Sequence, residues 1–112
     1  MLPTEQAQAL EVLSEKSNFA VVRMARRNFP GPVIQGDTLN SLYRDVRDLE
    51  RQLRTTLGAT HDLTSDAAAI ADALQERLWL YEQDLERAGY AQLPYATSVG
   101  RPDDGSEGQP VV

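Results

Sequence analysis

Phe29-Pro30-Gly31-Pro32-Val33-Ile34-Gln35-Gly36-Asp37-Thr38-Leu39 is the stretch where the chain changes period. Pro30-Gly31-Pro32 punctuates a turn, because proline pins φ and glycine admits backbone conformations closed to other residues. Val33-Ile34-Gln35 is a short β-type run, Gly36 a backbone break, and Asp37 a carboxylate that caps the free amides of a helix first turn. Upstream, Phe19-Ala20-Val21-Val22-Arg23-Met24 is rich in aromatic and β-branched residues and has no helix-length stripe, so it reads as a strand. The two runs form a β-hairpin with a long, partly basic connection through Arg26 and Arg27. Downstream, Leu39, Leu42, Val46, Leu49, Leu53 and Leu57 recur at spacings of three and four, one apolar stripe closed by Gly58 as the C-cap.

A second helix follows the linker Ala59–Leu63, with Thr64 or Ser65 as cap and Asp66 in its first turn. Its stripe is Ala67, Ala71, Leu74, Leu78, Tyr81, Leu85 and Ala88, and Gly89 ends it. Two similar stripes on a short linker predict an antiparallel helical hairpin. Ile70, Trp79 and Leu80 widen the apolar face of the second helix, as packing on the sheet or on another chain in a homodimer requires. Thr4, Glu5, Ala9, Leu10 and Leu13 predict a short amphipathic helix over residues 4–16. Tyr90–Tyr95 is too apolar for a free linker and is expected to pack back as an extended segment. Gly100–Val112, with three glycines, two prolines and three acids, reads as a disordered acidic tail. The predicted fold class is therefore α+β: a short N-terminal helix, a β-hairpin and two long antiparallel helices in a single domain over 1–99, then the tail over 100–112.

Composition bounds the function. With 112 residues, 41% of them apolar, the chain suffices for one globular domain. It has no cysteine and one histidine, which excludes a disulfide framework, a thiolate metal site and a His-based metal cluster. No cofactor or metal is expected. The net charge of −6 is unevenly placed: residues 1–61 carry eight Lys/Arg against seven Asp/Glu, a balance of +1, whereas residues 62–112 carry three against ten, a balance of −7. Met1–Gln6 lacks a basic region followed by an apolar core, and the longest apolar runs fall far short of the roughly 18–20 residues that span a bilayer. The expected location is the cytoplasm, with no membrane partner.

Individual motifs point weakly to chemistry. A glycine before a capped helix offers amides to a phosphate, yet neither GxGxxG nor GxxxxGK[ST] is present. Arg23, Arg26 and Arg27 form a basic patch that suits phosphates or an acidic partner, or an ordinary solvated edge that deters strand aggregation. The overall negative charge argues against nucleic acid. His61-Asp62 is a lone dipeptide in a linker and specifies no nucleophile or water, so no catalytic residues are assigned. Asp72, Glu76, Glu82, Asp84 and Glu86 spread around one helix, as a solvated face does. Trp79 and Tyr81 are candidate partner anchors, or lids over the core.

The order of strand (Phe19–Met24), Pro-Gly turn (Phe29-Pro30-Gly31), second strand (Val33–Gln35) and Gln35-Gly36-Asp37-Thr38-Leu39 opening a helix resembles the HicB antitoxin family over residues 19–57. The chain is also similar to a small set of uncharacterised bacterial proteins with an NFAVVRM…RRFPG…QGDTL pattern. The HicB resemblance implies a partial ribonuclease-H-like fold without catalytic carboxylates, in a protein that binds and neutralises a small basic ribonuclease toxin. Where that family has a strand, this chain has the helix expected over residues 4–16. The functional expectation is a non-enzymatic interaction module of the antitoxin, immunity or inhibitor class with a basic protein partner; the alternative is a small structural or oligomerisation protein.

Overall fold

A computed structural model describes residues 10–16 and 19–102. The chain divides into two compact units, Met1–Gln35 and Gly36–Val112. The first holds strands β1 (Leu10–Lys16), β2 (Phe19–Met24) and β3 (Gly31–Ile34). They form one antiparallel sheet in the order β1-β2-β3. The expected hairpin is present as β2–β3, but Pro30-Gly31-Pro32 does not make its turn. The chain turns after β2, where the Arg27 amide bonds the Met24 carbonyl at 3.0 Å. Gly31 and Pro32 already pair with Val22 and Val21 in β3, with Pro32, which has no amide to donate, on an edge strand.

β1 corrects the helix expected over 4–16: residues 10–16 are a strand, and residues 4–9 lie outside the described part. Leucine, glutamate and lysine favour helices locally, but cross-strand pairing overrides that preference. Leu10 faces Met24 and Val12 faces Val22, so these apolar side chains share one face with Val33, which pairs with Ala20. Glu11 lies on the other face opposite Arg23, and their side chains bond at 3.0 Å. The register slips between Val12 and Ser14, a bulge that takes Leu13 out of the alternation. Such a run has neither a clean period of two nor one of 3.6.

The second unit contains α1 (Gly36–Leu57) and α2 (Asp62–Arg87). Arg47 reaches Asp72 and Gln75, and Thr64 bonds the Gly58 carbonyl, so the helices run antiparallel as the stripes predicted. Gly58 at φ 98° and Gly89 at φ 91° end them in the left-handed region. After α2 the Gly89 amide bonds the Glu86 carbonyl and the Tyr90 amide bonds the Leu85 carbonyl, a Schellman closure that turns the chain back.

Three local expectations shift. α1 starts at Gly36, with the Asp37 carboxylate accepting from the Thr38 amide at 2.8 Å from inside the first turn. A Cβ on Gly36 would overlap the Tyr81 ring, so this glycine marks a close approach to α2 rather than a mere break. α2 is capped by His61, whose Nδ1 accepts from the Leu63 amide at 3.1 Å, and not by Thr64 or Ser65. Thr64 is instead buried, its hydroxyl tying the first turn to Gly58.

The core of this unit is Tyr43, Ala71, Leu78 and Val99, with Leu39, Val46, Leu74, Trp79, Tyr81 and Tyr95 packed around it. The contact face of α1 is thus rotated from the predicted stripe. Tyr43 and Glu50 are buried, whereas Leu42, Leu49 and Leu57 stay half-exposed. On α2, Thr64, Gln75 and Glu82 join Ala67, Ala71 and Leu78 inside, and Ile70 and Leu80 remain outside. The polar side chains occupy the centre because each finds partners there.

Candidate functional site

Past the Schellman turn, residues 90–102 lie back along α2 as a strap. Of residues 90–95, expected to pack back, only Leu93 and Tyr95 are half-buried while Tyr90, Ala91, Gln92 and Pro94 are exposed, and the packing continues beyond them. Val99 is fully buried, and the carbonyls of Val99, Gly100 and Arg101 accept from Gln75 Nε2 at 3.0, 3.4 and 3.4 Å. Residues 100–102, assigned to the tail from composition, thus belong to the folded unit. The rest of the tail, 103–112, lies outside the described residues.

Glu82 holds the strap at its middle. Its Oε2 accepts from the Tyr95 hydroxyl at 2.7 Å and from the Val99 amide at 3.0 Å. Burial and the adjacent Glu82 carboxylate push the Tyr95 phenol far above its usual value, because ionising it would place two negative charges together. Arg44 on α1 adds a bond to the Thr97 carbonyl at 2.7 Å. Nothing in the polarity of Glu82 or Gln75 marks them as inward-facing. Their only signal is their spacing of three and four from Leu78.

Between the strap and the second half of α2 lies a cavity of about 360 Å³, whose lining includes Trp79, Glu82, Glu86, Tyr90, Leu93 and Ser98. Trp79, Glu82 and Glu86 come to it together because steps of three and four keep one helix face. The guanidinium of Arg101 lies over the Trp79 ring, 5.9 Å from its centre. An indole face beside carboxylates favours positive charge.

The other candidates are scattered. Tyr81, two residues from Trp79 and so roughly 200° around the helix, lies against Gly36, where burial and then Asp37 raise its pKa. Trp79 and Tyr81 therefore do not form one anchor. Arg26 and Arg27 sit exposed in the β2–β3 connection, where the Arg27 carbonyl accepts from Arg23 at 3.4 Å. Phe29 is 82% exposed, Pro30 is exposed in the same connection, and Gly31 begins β3. Gln35 joins β3 to α1. His61 serves as a cap. Among the described residues no group of three or more His, Asp or Glu could hold a metal ion. Among them, too, no helix is long and apolar enough to cross a membrane.

These features define an α+β protein with a three-stranded antiparallel sheet in one unit and a strapped helical hairpin in the other. The chain belongs to the family of unknown function DUF6959, whose profile matches residues 5–95. Neither the curated proteins nor the solved structures gave a match.

Proposed function

We propose that the protein is a non-enzymatic binding module of the cytoplasm whose acidic second helix meets a basic protein partner. The observation that carries this reading is the direction in which the charges point. α2 contains seven acids against two arginines, and Asp62, Asp66, Glu76, Asp84 and Glu86 are exposed. The arginines of α1 that could balance them are engaged elsewhere: Arg47 with Glu50, Asp72 and Gln75, and Arg54 with Glu50. Arg77 bonds its own helix, to the Ala73 carbonyl. Arg87 pairs with Asp84 at 2.9 Å, so the helix surface carries a net excess of acid rather than acid alone, and such an excess accelerates encounter with an oppositely charged protein. The resemblance to HicB antitoxins makes a small basic ribonuclease the expected partner.

The test is a photo-cross-linking residue at exposed Ala69, on the outer side of α2, in the full chain expressed in its native host. Adducts to a basic protein, lost when Asp66 and Glu76 are both changed to lysine, support the reading. Adducts that ignore this charge reversal, or none at several outer positions, overturn it.

A second reading, self-association, is favoured by the half-exposed Leu42 and Leu49 on α1 and Leu63 and Ile70 on α2. Each pair is seven residues apart, the spacing of a helix-bundle seam. Light scattering across concentrations checks it: a mass that never rises above one chain removes it, and a dimer abolished by Leu49→Glu supports it.

A further inference from the structure

The cavity under the strap combines three properties that no single residue supplies. Trp79 and Tyr90 line it, Glu82 and Glu86 bring acid to it, and the Trp79 ring lies under the guanidinium of Arg101, 5.9 Å from its centre, although Arg101 is not itself a lining residue. That guanidinium belongs to the end of the described chain and is attached to an exposed residue. Its backbone, by contrast, is held, since the Arg101 carbonyl accepts from Gln75. An exposed side chain on a held backbone can change rotamer without moving the strap.

We propose that the groove bounded by Trp79, Glu86 and Tyr90 takes an arginine side chain of a protein partner, and that Arg101 is the intramolecular stand-in which that arginine displaces. The geometry fits the class. A guanidinium is planar, stacks on an indole face, and offers its edge to carboxylates in the same plane. A lysine ammonium stacks less well and loses more hydration, so arginine is preferred over lysine. Glu82 is held by Tyr95 and the Val99 amide, and exposed Glu86, which also lines the groove, contributes charge. The pocket rests on the reading of a basic protein partner and names where that partner is gripped.

Trp79 is the only tryptophan in the chain, so its fluorescence reports directly on the site. The probe is an acetylated, amidated peptide of alternating glycine and arginine, titrated into the full chain at fixed salt beside its glycine-lysine twin. The arginine peptide is expected to give a saturable change and to bind more tightly than the lysine peptide. Arg101→Ala, which removes the internal competitor, is expected to bind it about two- to five-fold more tightly, the scale of an exposed cation–π contact. Glu86→Gln, an exposed change that leaves the core intact, is expected to weaken it by a similar factor. Equal affinity for the two peptides overturns the proposal, as does an Arg101→Ala variant that binds no more tightly than wild type. A basic partner cross-linked equally well by wild type and Glu86→Gln would sink this pocket while leaving the broader reading intact. The expected titration without any basic adduct in the host would sink the broader reading alone.

Discussion

Each unit of the molecule contains an arginine–glutamate pair, and the two pairs differ in what surrounds them. In the sheet unit Arg23 and Glu11 meet across strands at 3.0 Å with side chains 41% and 56% exposed. In the helical unit Arg47 and Glu50 meet at 2.8 Å with side chains 16% and 5% exposed. Water screens the first pair, so holding two long side chains in place costs about as much as the attraction returns. The second pair is removed from water, and its stability depends on satisfying every remaining donor and acceptor. Arg47 does this by reaching Glu50, Asp72 and Gln75 at once and lying over the Tyr43 ring, while Arg54 takes the other oxygen of Glu50. Among the described residues no buried side-chain polar atom lacks a partner.

The titration behaviour follows. Burial alone would lower the pKa of Arg47, but its bonds to Glu50, Tyr43 and Asp72 outweigh that and raise it. Burial alone would raise the pKa of Glu50, but Arg47 and Arg54 outweigh it and lower it below 4.5.

The contrast can be broken in order of expected effect. Leu78→Ala opens a void at the fully buried centre of the helical unit and should cost about 2–5 kcal/mol, read as a fall in the urea midpoint by circular dichroism. Arg47→Met leaves Glu50 buried with Arg54 alone and should cost about 3 kcal/mol in the same assay. The third test is acid. Because the folded pKa of Glu50 lies below its ordinary value of 4.5, its contribution is complete above that value and is lost as pH falls through the folded one. The wild-type midpoint should therefore drop more steeply below pH 4.5 than that of Glu50→Gln. Last, Arg23→Met in the exposed pair should change stability by under about 0.5 kcal/mol, and added salt should erase even that. A cost for Arg23→Met equal to that of Arg47→Met would show that burial does not separate the two pairs.

The same difference explains which parts of the fold were legible beforehand. Both long helices and strands β2 and β3 are announced by local chemistry: stripes of leucine and alanine, glycines able to adopt positive φ, and runs of β-branched residues; the turn read at Pro30-Gly31-Pro32 lies instead at Met24–Arg27. β1 was misread because the bulge at Leu13 breaks its alternation and its residues favour helix, so only the pairing with β2 makes it a strand. The predicted α1 stripe was displaced because hydrophobicity ranks leucine above tyrosine and glutamate, while the interior selected Tyr43 and Glu50 for the network around Arg47. Of the candidate site, Trp79 was visible as a lone large aromatic. Glu82, Gln75 and Val99 were not, since a buried carboxylate is recognisable only once the strap that bonds it is in place.

The sequence by itself determined the α+β class, the two long helices with their glycine-marked C-terminal ends, and the concentration of acid in the second half. These depend on interactions within a few residues: capping, periodicity, backbone freedom and summed charge. The tertiary structure alone decided the strand at Leu10–Lys16, the polar centre of the helical hairpin, and the strap that closes a groove beside Trp79. Those depend on residues 12 to 53 positions apart meeting with the right donors and acceptors, from Arg23 with Glu11 to Arg44 with the Thr97 carbonyl. Such meetings leave no local period in the chain.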